Sequence, residues 1–320
     1  MGTIIECANV RRTYASRTLT GQKRETVAID NLSFQVPQGI VFGLLGPNGA
    51  GKTTTIRILS TLLIPDSGKV TVAGFDVVKE ASKVRKRIGL ILGGERGLYG
   101  RLTGKENLRY FAALNHLSPA QGRKRIAELL KLVGLATAED RPVEQYSRGM
   151  RQRLHVARGL LADPEILFMD EPTLGLDPLG AQELRQMIPA LVREGKTILL
   201  TTHYMSEADE LSDQIAIIDK GNIVASGTPS DIKRKFSKIT VFEVILRQNV
   251  TNAIESLSPL PGIQHVTSIT DGPIQKLTIH VKPGVDIQET VKIKLGVDIV
   301  ESMVMRDPTL EEAYLSIFKS

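Results

Sequence analysis

The densest run of chemically useful residues occupies positions 46–53, which read Gly-Pro-Asn-Gly-Ala-Gly-Lys-Thr. The spacing of the outer glycine, the Gly-Lys pair and the threonine matches a loop that cradles phosphate groups. Glycines let backbone N–H groups approach a phosphate without an intervening Cβ atom, and a following helix N-terminus adds positive partial charge. We expect Lys52 to reach the β- and γ-phosphates of a nucleotide, and the Thr53 hydroxyl to bind Mg²⁺. The residues predicted to line this phosphate site are Gly46, Pro47, Asn48, Gly49, Ala50, Gly51, Lys52, Thr53 and Thr54.

A pair of acids ends an apolar run further along the chain. Residues 166–172 read Ile-Leu-Phe-Met-Asp-Glu-Pro, a pattern typical of a buried strand that delivers carboxylates to a site. Asp170 is expected to hold Mg²⁺, directly or through water, and Glu171 to polarise the attacking water as a general base. Alone, such a pair also fits an ordinary strand end, but after a complete phosphate loop the catalytic interpretation is favoured.

Residues 145–154 read Gln-Tyr-Ser-Arg-Gly-Met-Arg-Gln-Arg-Leu, and with them the chain resembles the ATP-binding subunit of an ABC transporter. In that family a Leu-Ser-Gly-Gly-Gln signature opens a helix and contacts the γ-phosphate of ATP held by the opposite subunit. Ser147 and Gly149 match its serine and second glycine, whereas Tyr146, Arg148 and Met150 depart from it. Two effects of Arg148 stay open: added positive charge near the nucleotide, or a block to close backbone approach.

Other family segments follow in the same order. Residues 174–177, Leu-Gly-Leu-Asp, resemble the D-loop that couples the two sites across a dimer, and end at Asp177. Thr201-Thr202-His203 resembles the switch loop, which implies that His203 senses the γ-phosphate and orients water. Tyr14 resembles the aromatic residue that stacks on adenine, although an extra polar segment, residues 16–26, alters its spacing.

One family residue has no counterpart in this sequence. The family places a glutamine near Mg²⁺, and that position falls here at Gly93 or Gly94, which have no side chain to offer. Our hypothesis is that Glu95 substitutes for it, directly or through water. An equally weighted alternative is that Glu95 and Arg96 only pair with each other or with a partner.

The elements that must position these residues divide the chain in two. Over residues 1–236, β-rich runs with glycine-rich turns alternate with helical stretches, which predicts an α/β sheet. Residues 95–160 are mostly helical and form an insertion in it. From residue 237 onward the order is β-α-β-β-α-β, which predicts a ferredoxin-like arrangement. A last helix starts near Thr309, which has capping-box spacing to Glu312.

The expected fold class is therefore α/β. The resemblance to the ABC transporter family implies that the first part is a phosphate-loop NTPase (RecA-like) ABC ATPase core with a helical subdomain, followed by a small ferredoxin-like α+β C-terminal domain. The expected domains are residues 1–236 and 237–320, with the boundary in the segment 226–238. The 320-residue length agrees with about two domains.

Composition excludes several classes of protein. Hydrophobic residues make up 42% and charged residues 24% of the chain, which excludes a wholly disordered, collagen-like or coiled-coil protein. No apolar run approaches the roughly 20 residues of a membrane-spanning helix, and the single cysteine fits a reducing compartment. The net charge is +6, but the basic clusters are interpreted as solvated helix faces, and no specific nucleic-acid partner is expected.

The resemblance implies an ATPase that uses ATP and Mg²⁺ and powers a membrane exporter. It implies a homodimer, or a heterodimer with a related ATPase, which ATP closes and hydrolysis opens. Each site combines Lys52, Thr53, Asp170, Glu171 and His203 of one subunit with Ser147 and Gly149 of the other. A separate integral membrane permease is the expected partner, so the protein lies peripherally on the cytoplasmic face of the membrane.

Export rather than import is implied by the atypical signature and by residues 307–315, Asp-Pro-Thr-Leu-Glu-Glu-Ala-Tyr-Leu. They resemble the tails of type-2 ABC exporters, including the daunorubicin-resistance-like ATPases. The alternatives are a soluble ABC ATPase acting on the ribosome or nucleic acid, and a phosphate-loop kinase. A single cassette without long heptad repeats argues against the first, and the ordered family motifs against the second. The cargo is not encoded in this chain.

Overall fold

A computed structural model describes residues 2–17, 23–92, 97–236 and 239–319. The chain separates into two compact units, Met1–Thr228 and Pro229–Ser320, each of which is described by itself. Among the described residues, no helix combines the length and the apolar character that crossing a bilayer requires.

The first unit combines strands and helices in alternation. In the described ranges its strands are β1 (Thr3–Arg17), β2 (Lys23–Pro37), β3 (Val41–Leu45), β4 (Ser67–Val72), β5 (Phe75–Asp76), β6 (Ile88–Leu92), β7 (Ile166–Asp170), β8 (Thr197–Thr202), β9 (Gln214–Asp219) and β10 (Asn222–Gly227). Its helices are α1 (Lys52–Leu59), α2 (Ala81–Arg85), α3 (Gly104–Leu114), α4 (Pro119–Leu132), α5 (Arg148–Gly159), α6 (Pro178–Arg193) and α7 (Met205–Leu211).

These strands form two sheets. The larger has the order β10-β9-β3-β8-β7-β6, and its strands are parallel except at β10, which runs antiparallel to β9. The smaller, of order β2-β1-β4-β5, is antiparallel. Because parallel strands share one direction, the carboxyl ends of β3, β7 and β8 meet at one edge of the larger sheet, where ligands bind in such folds.

Both faces of the larger sheet are buried. On β7, Leu167 and Met169 pack into the core formed with helices α3 to α6. The alternate residues Ile166 and Phe168 pack into a second core, which also takes side chains from α1 and the smaller sheet. Successive side chains of a strand point to opposite faces, so an uninterrupted apolar run is what a strand covered on both sides requires.

The predicted helical insertion is present between β6 and β7, where α3, α4 and α5 follow one another. Its helices begin at well-formed caps. Thr103 and Glu106 make a reciprocal capping box at α3, and Ser118 and Gln121 make another at α4. At α5 the Ser147 hydroxyl accepts a hydrogen bond from the Met150 backbone N–H at 3.2 Å.

The second unit is a four-stranded antiparallel sheet with helices. Its elements in the described ranges are α8 (Pro229–Phe236), β11 (Thr240–Leu246), α9 (Ala253–Leu257), β12 (Ile263–Asp271), β13 (Ile274–Val281), α10 (Gln288–Leu295), β14 (Val300–Arg306) and α11 (Leu310–Lys319). The strand order is β12-β13-β11-β14, with every pairing antiparallel. Its core contains buried side chains of β11, β13, α9 and α10.

The predicted start of the last helix is confirmed. The Thr309 N–H donates to Glu312 Oε2 at 2.7 Å, and the Glu312 N–H donates to Thr309 Oγ1 at 3.2 Å. Helix α8 packs against α11, so it belongs to the second unit. The division between the units therefore lies at Thr228, inside the segment 226–238 but before the expected boundary at residue 236.

Candidate functional site

The loop after β3 has a backbone shape that depends on glycine. Gly49 and Gly51 have φ angles of 84° and 112°, values that residues with a Cβ atom rarely adopt. A Cβ atom on Gly51 would lie 2.6 Å from the Ala28 carbonyl oxygen, and one on Gly46 would lie 2.2 Å from that of Ile218. The loop is therefore packed tightly on its inner side, whereas a Cβ atom on Gly49 would meet no atom within 4 Å.

Lys52, the first residue of α1, turns back over this loop. Its Nζ donates to the Gly46 carbonyl oxygen at 2.6 Å and to that of Pro47 at 3.3 Å. The same Nζ is 3.2 Å from Glu171 Oε1, and the lysine side chain is only 5% exposed. A buried ammonium group at a helix N-terminus is suited to binding phosphate oxygens.

Asp170, at the end of β7, accepts hydrogen bonds from two hydroxyl groups. Thr53 Oγ1 donates to Asp170 Oδ2 at 2.9 Å, and Thr201 Oγ1 donates to Asp170 Oδ1 at 2.6 Å. Strands β7 and β8 are in register here, with Asp170 opposite Thr201. The parallel pairing thus fixes the carboxylate from one side, and α1 presents the Thr53 hydroxyl from the other.

This donor set fits Mg²⁺. The ion prefers oxygen ligands and is commonly held by one or two carboxylates together with substrate phosphates. Thr53 and Asp170 supply adjacent oxygen atoms of that kind beside the phosphate loop. No group of three or more His, Cys, Asp or Glu side chains in the described ranges is arranged to hold a metal. Mg²⁺ usually keeps several waters and binds substrate phosphates, which would complete the coordination at Thr53 and Asp170.

Glu171 sits in a strained backbone conformation. Its φ is 49°, in the left-handed region that costs a residue with a side chain about 1–3 kcal/mol. Its N–H donates to both the carbonyl oxygen and the hydroxyl oxygen of Thr201, each at 3.1 Å. Thr201 therefore contacts both acids. Its hydroxyl group donates to the Asp170 carboxylate, and its hydroxyl and carbonyl oxygens accept from the Glu171 N–H.

The Glu171 carboxylate lies between a lysine and a histidine. Its Oε2 is 2.7 Å from His203 Nδ1, and its Oε1 is the atom that faces Lys52. Because an ionised carboxylate can only accept, Nδ1 of His203 carries the proton and Nε2 stays available to a ligand. Glu171 is thus a candidate base, His203 orients it through a hydrogen bond, and the positively charged Lys52 lies next to it.

These side chains surround one cavity of about 410 Å³, which is within the usual size range of small-molecule sites. It brings together most of the predicted phosphate loop with Glu171 and His203, whereas the predicted residues Gly46, Ala50 and Asp170 do not line it. Ala28 and Leu174 also line it, although neither has a side chain whose chemistry would predict a place in a nucleotide site. The lining residues are Ala28, Pro47, Asn48, Gly49, Gly51, Lys52, Thr53, Thr54, Glu171, Leu174 and His203.

Tyr14 lies beside this cavity and is not among its lining residues. Its hydroxyl oxygen is 3.5 Å from Thr54 Oγ1, and the Arg12 guanidinium carbon lies 5.4 Å from the centre of its ring. The extra polar segment, residues 16–26, forms the facing ends of β1 and β2, except for residues 18–22, which lie outside the described ranges.

Ser147, Gly149 and Asp177 form a second cluster and do not line the cavity. Ser147 is exposed at the start of α5, and Asp177 precedes α6. A Cβ atom on Gly149 would lie 3.4 Å from the Gly180 Cα atom and 4.0 Å from Asp177 Oδ1. Two helix N-termini therefore converge there, because glycines allow the backbones to approach.

The three departures from the family signature have different surroundings. Tyr146 is buried and donates its hydroxyl proton to the Ala138 carbonyl oxygen at 2.6 Å, and burial raises the pKa of Tyr146. Met150 packs against the helical core. Arg148 is exposed and lies against Gly175. Residues Gly93 and Gly94, and the hypothesis on Glu95, fall outside the described ranges.

Sequence reasoning missed two residues near the site. Thr201 was quoted only as part of a motif, without its role of holding both acids. Glu207 on α7 is 4% exposed, and burial raises its pKa, only partly offset by the nearby Thr202 and Thr173 hydroxyls. Neither carboxyl oxygen of Glu207 has a well-formed hydrogen bond within the described part of the chain. The feature of the sequence that could have pointed to Glu207 is its position four residues after His203.

A family model described as "ABC transporter" matches residues 29–174. A daunorubicin resistance ATP-binding protein, DrrA3 of Streptomyces coeruleorubidus, is 43% identical over 91% of this chain and 90% of its own length. A doxorubicin resistance ATP-binding protein, DrrA of Mycobacterium tuberculosis, is 38% identical over 96% and 91%. A linearmycin resistance ATP-binding protein, LnrL of Bacillus subtilis, is 32% identical over 98% of each chain.

Solved structures agree with these relatives. A Clostridium perfringens protein, part of an ABC transporter complex, superposes with a TM-score of 0.65 and 25% identity over 73% of this chain and 92% of its own. An ATP-binding cassette solved as a dimer in a post-hydrolysis state with ADP and Pi gives a TM-score of 0.61 and 25% identity over 70% and 98%. The first unit thus has the mixed α/β sheet of these ATP-binding subunits.

Proposed function

The chain belongs to the ATP-binding proteins of the ABC transporter family and is an ATPase, and from this premise we propose that it powers a membrane exporter. The observation that carries the proposal is one cavity, beside the phosphate loop, in which Glu171 contacts both Lys52 and His203. That set of groups suits transfer of a phosphoryl group to water.

Each side chain has a role in this reaction that follows from its contacts. Lys52 neutralises charge on the β- and γ-phosphates, for which its buried Nζ is positioned. Glu171 accepts a proton from the attacking water as general base, and His203 holds that carboxylate in place through Nδ1. Catalysis then comes mainly from positioning and from stabilising charge, as is usual for phosphoryl transfer.

Mg²⁺ would be held by Thr53 and Asp170, which already share hydrogen bonds at the rim of the loop. When bound, the ion offsets negative charge on the phosphate oxygens. Tyr14 is proposed to stack on the adenine ring, which is supported by its position beside Thr54 at the start of α1.

Ser147, Gly149 and Asp177 are proposed to complete the site of a second ATPase subunit, either a copy of this chain or a related one. Their exclusion from the cavity of their own chain supports this, as does the exposure of Ser147. A two-fold dimer pairs such surfaces reciprocally. The similar cassette that was solved as a dimer with ADP and Pi is consistent with the same assembly.

The remaining architecture follows the same proposal. We infer a RecA-like core with a helical subdomain in the first unit, supported by α3 to α5 between β6 and β7. We infer a ferredoxin-like second unit, supported by its β-α-β-β-α-β order and its β12-β13-β11-β14 sheet. The expected domain boundary at residue 236 shifts in this proposal to Thr228.

Export is favoured because this chain is similar, over nearly its full length, to relatives that are named for resistance to drugs. The proposed partner is a separate integral membrane permease, which places this chain peripherally on the cytoplasmic face of the membrane. The choice of cargo would rest with that permease.

Affinity capture of the full chain from gently solubilised membranes of its host, with ATP present, tests this proposal. We expect a multi-span membrane protein to co-purify in near-equal amount and to be identified by mass spectrometry. Recovery of ribosomal proteins or nucleic acid, with no membrane protein, would overturn the exporter assignment in favour of a soluble ATPase. Phosphate release by the purified chain, with Lys52→Ala as the inactive control, tests the ATPase site separately.

A further inference from the structure

We propose that Arg148 is a catalytic arginine supplied in trans: its guanidinium group binds the terminal phosphate of the nucleotide held by the opposing subunit of the dimer. This inference rests on the proposed function and concerns the position at which the signature of this chain departs from its family. The glycine of the family pattern is replaced here by a cation.

The position of Arg148 places it among the groups that face that phosphate. It is the first residue of α5, directly after the cap residue Ser147, and its side chain is exposed. The N-terminus of α5 adds partial positive charge at the same point. An anion that approaches Ser147 therefore meets the hydroxyl group, the helix N-terminus and the guanidinium group together.

Gly175 fixes the direction of this side chain. A Cβ atom on Gly175 would lie 2.3 to 2.5 Å from three atoms of the Arg148 guanidinium group. The guanidinium group thus lies directly against the Gly175 backbone. Gly175 has a φ of 70°, a conformation that residues with a Cβ atom rarely adopt. Contact with the loop 174–177 orients the guanidinium group without using its N–H donors.

Those donors distinguish Arg148 from the other arginines of α5. Arg151 donates to the Tyr146 carbonyl oxygen, Arg153 pairs with Glu183 at 3.4 Å, and Arg158 donates to the Gly97 carbonyl oxygen. For Arg148, by contrast, the described ranges contain no ion pair or side-chain hydrogen bond. A planar, permanently charged group with free donors in a fork matches the oxygens of a phosphate.

The phosphate in question belongs to the opposing subunit. Arg148 does not line the cavity of its own chain, and neither do its neighbours Ser147 and Gly149. An arginine that enters a nucleotide site from outside stabilises the charge of the transition state, and such groups have large effects on phosphoryl transfer. No bond to arginine forms or breaks: water attacks the γ-phosphorus of ATP, the bond to the bridging oxygen breaks, and ADP and phosphate are released.

The first test compares the hydrolysis rates of Arg148→Gln and Arg148→Lys in the full chain. Glutamine keeps much of the side chain that packs on Gly175 but has no charge. Lysine keeps the charge but lacks the planar guanidinium group and its paired N–H donors. We expect kcat to fall at least about tenfold in Arg148→Gln, as for loss of a charge-assisted hydrogen bond, and to fall less in Arg148→Lys. Arg123→Gln, at an exposed arginine on α4, is the matched control and should keep the wild-type rate.

The second test asks in which chain the residue acts. Lys52→Ala and Arg148→Gln copies are mixed, and the rate is compared with that of wild type mixed with a copy carrying both substitutions. In the first mixture one site keeps Lys52 of one copy and Arg148 of the other, so phosphate release should rise above that of either variant alone. In the second mixture each mixed dimer lacks one of the two residues at every site.

Three results would overturn the inference. Arg148→Gln at the wild-type rate would assign the side chain to packing alone. Arg148→Gly hydrolysing faster than wild type would show that the arginine blocks the approach of the phosphate. An inactive mixture of the two single variants would mean that Arg148 acts within its own chain. Absence of hydrolysis by the wild-type chain would instead contradict the proposed function.

Discussion

At the residue scale, Thr201 determines how the two acids of the site are held. Its hydroxyl group donates to Asp170 and accepts from the Glu171 N–H, and the side chain is fully buried. A single β-branched residue on β8 therefore keeps a proposed metal ligand and a proposed base at a fixed separation.

Thr201→Val tests this arrangement, because valine keeps the shape and removes the hydroxyl group. The Asp170 carboxylate would lose its shortest hydrogen bond, and the free energy of unfolding should fall by about 1–3 kcal/mol. We also expect kcat for ATP hydrolysis to fall about tenfold or more, since the acids are less well fixed. Thr197→Val, at the other end of the same strand, is the control and should leave kcat close to wild type.

Glu171→Gln should bind ATP yet hydrolyse it at least about 100-fold more slowly, because the amide cannot accept the proton from water. The variant should also form a longer-lived dimer with ATP, which size-exclusion chromatography coupled to light scattering would detect. Phosphate release at the wild-type rate would contradict the role given to Glu171.

Some site residues were accessible from the sequence and others were not. Lys52, Thr53 and Asp170 were found because their spacing is imposed by the chemistry of phosphate binding. Thr201 was not, because its role depends on the register between two strands that are distant in sequence. The substitute hypothesised at Glu95 stays a prediction, since it lies outside the described ranges.

At the element scale, the loop between β3 and α1 is shaped by glycines that differ in their surroundings. Gly51 is pressed against the Ala28 carbonyl oxygen, whereas Gly49 faces open space. Both have positive φ, so the pair separates the effect of backbone conformation from that of steric contact.

Gly51→Ala should therefore destabilise the fold more than Gly49→Ala. We expect about 1–2 kcal/mol for the conformational cost at Gly49, and a loss larger by at least about 1 kcal/mol at Gly51, where backbone must also move. Urea unfolding of both variants measures the difference. Equal losses would mean that the chain around Ala28 moves aside without cost.

The elements themselves were predicted unevenly. The sequence pattern predicts a helix over residues 104–114 and a strand over residues 274–281, and the structure has both elements with those bounds. The same pattern predicts a helix over residues 285–295, but this helix begins only at Gln288. Val285 instead lies against Gly262, within 3.2 Å of where its Cβ atom would be. The start of this helix therefore depends on a contact between segments that are distant in sequence, and such a contact cannot be predicted from a local pattern.

At the scale of the whole molecule, the two units respond to acid through different groups. In the first, burial and the nearby charge of Arg158 lower the pKa of His155 to about 4. Both ring nitrogens of His155 have no hydrogen-bond partner among the described residues, so the native fold resists its protonation.

The unfolded chain takes up this proton near pH 6.5 and the native fold only near pH 4. The free energy of unfolding should therefore fall as the pH drops from about 6.5 to about 4, by roughly 3 kcal/mol. In His155→Leu the free energy of unfolding should depend less on pH over this range. Urea unfolding, monitored by hydrogen exchange of the backbone amides of α5, measures this. The exposed His116 supplies a control, His116→Asn, in which the slope should be unchanged.

In the second unit the relevant acid is Glu312. Burial acts to raise its pKa, but hydrogen bonds from Arg306 and from the Thr309 backbone outweigh it and lower the pKa to about 2. This carboxylate stabilises the unit fully above about pH 4.5 and loses its effect as the pH falls toward 2.

Glu312→Gln should lower the melting temperature of the second unit at pH 7 and weaken its dependence on pH between about 4.5 and 2. Calorimetry of the full chain measures both effects. Glu311→Gln, at the exposed neighbouring position, should change neither. A melting temperature for Glu312→Gln equal to that of wild type would refute the stabilising role of this acid.

The order of strands in the larger sheet also constrains how the protein is made. Strand β3 carries the phosphate loop, yet its neighbours β8 and β9 lie far later in the chain. At the usual pace of ribosomes, the roughly 150 intervening residues take about 10 to 30 s to synthesise. Throughout that interval the nascent loop lacks both flanking strands, and Asp170 and Glu171 are added only near its end. Nucleotide can therefore stabilise only a chain whose synthesis has passed β9, and it cannot assist the earlier stages of folding.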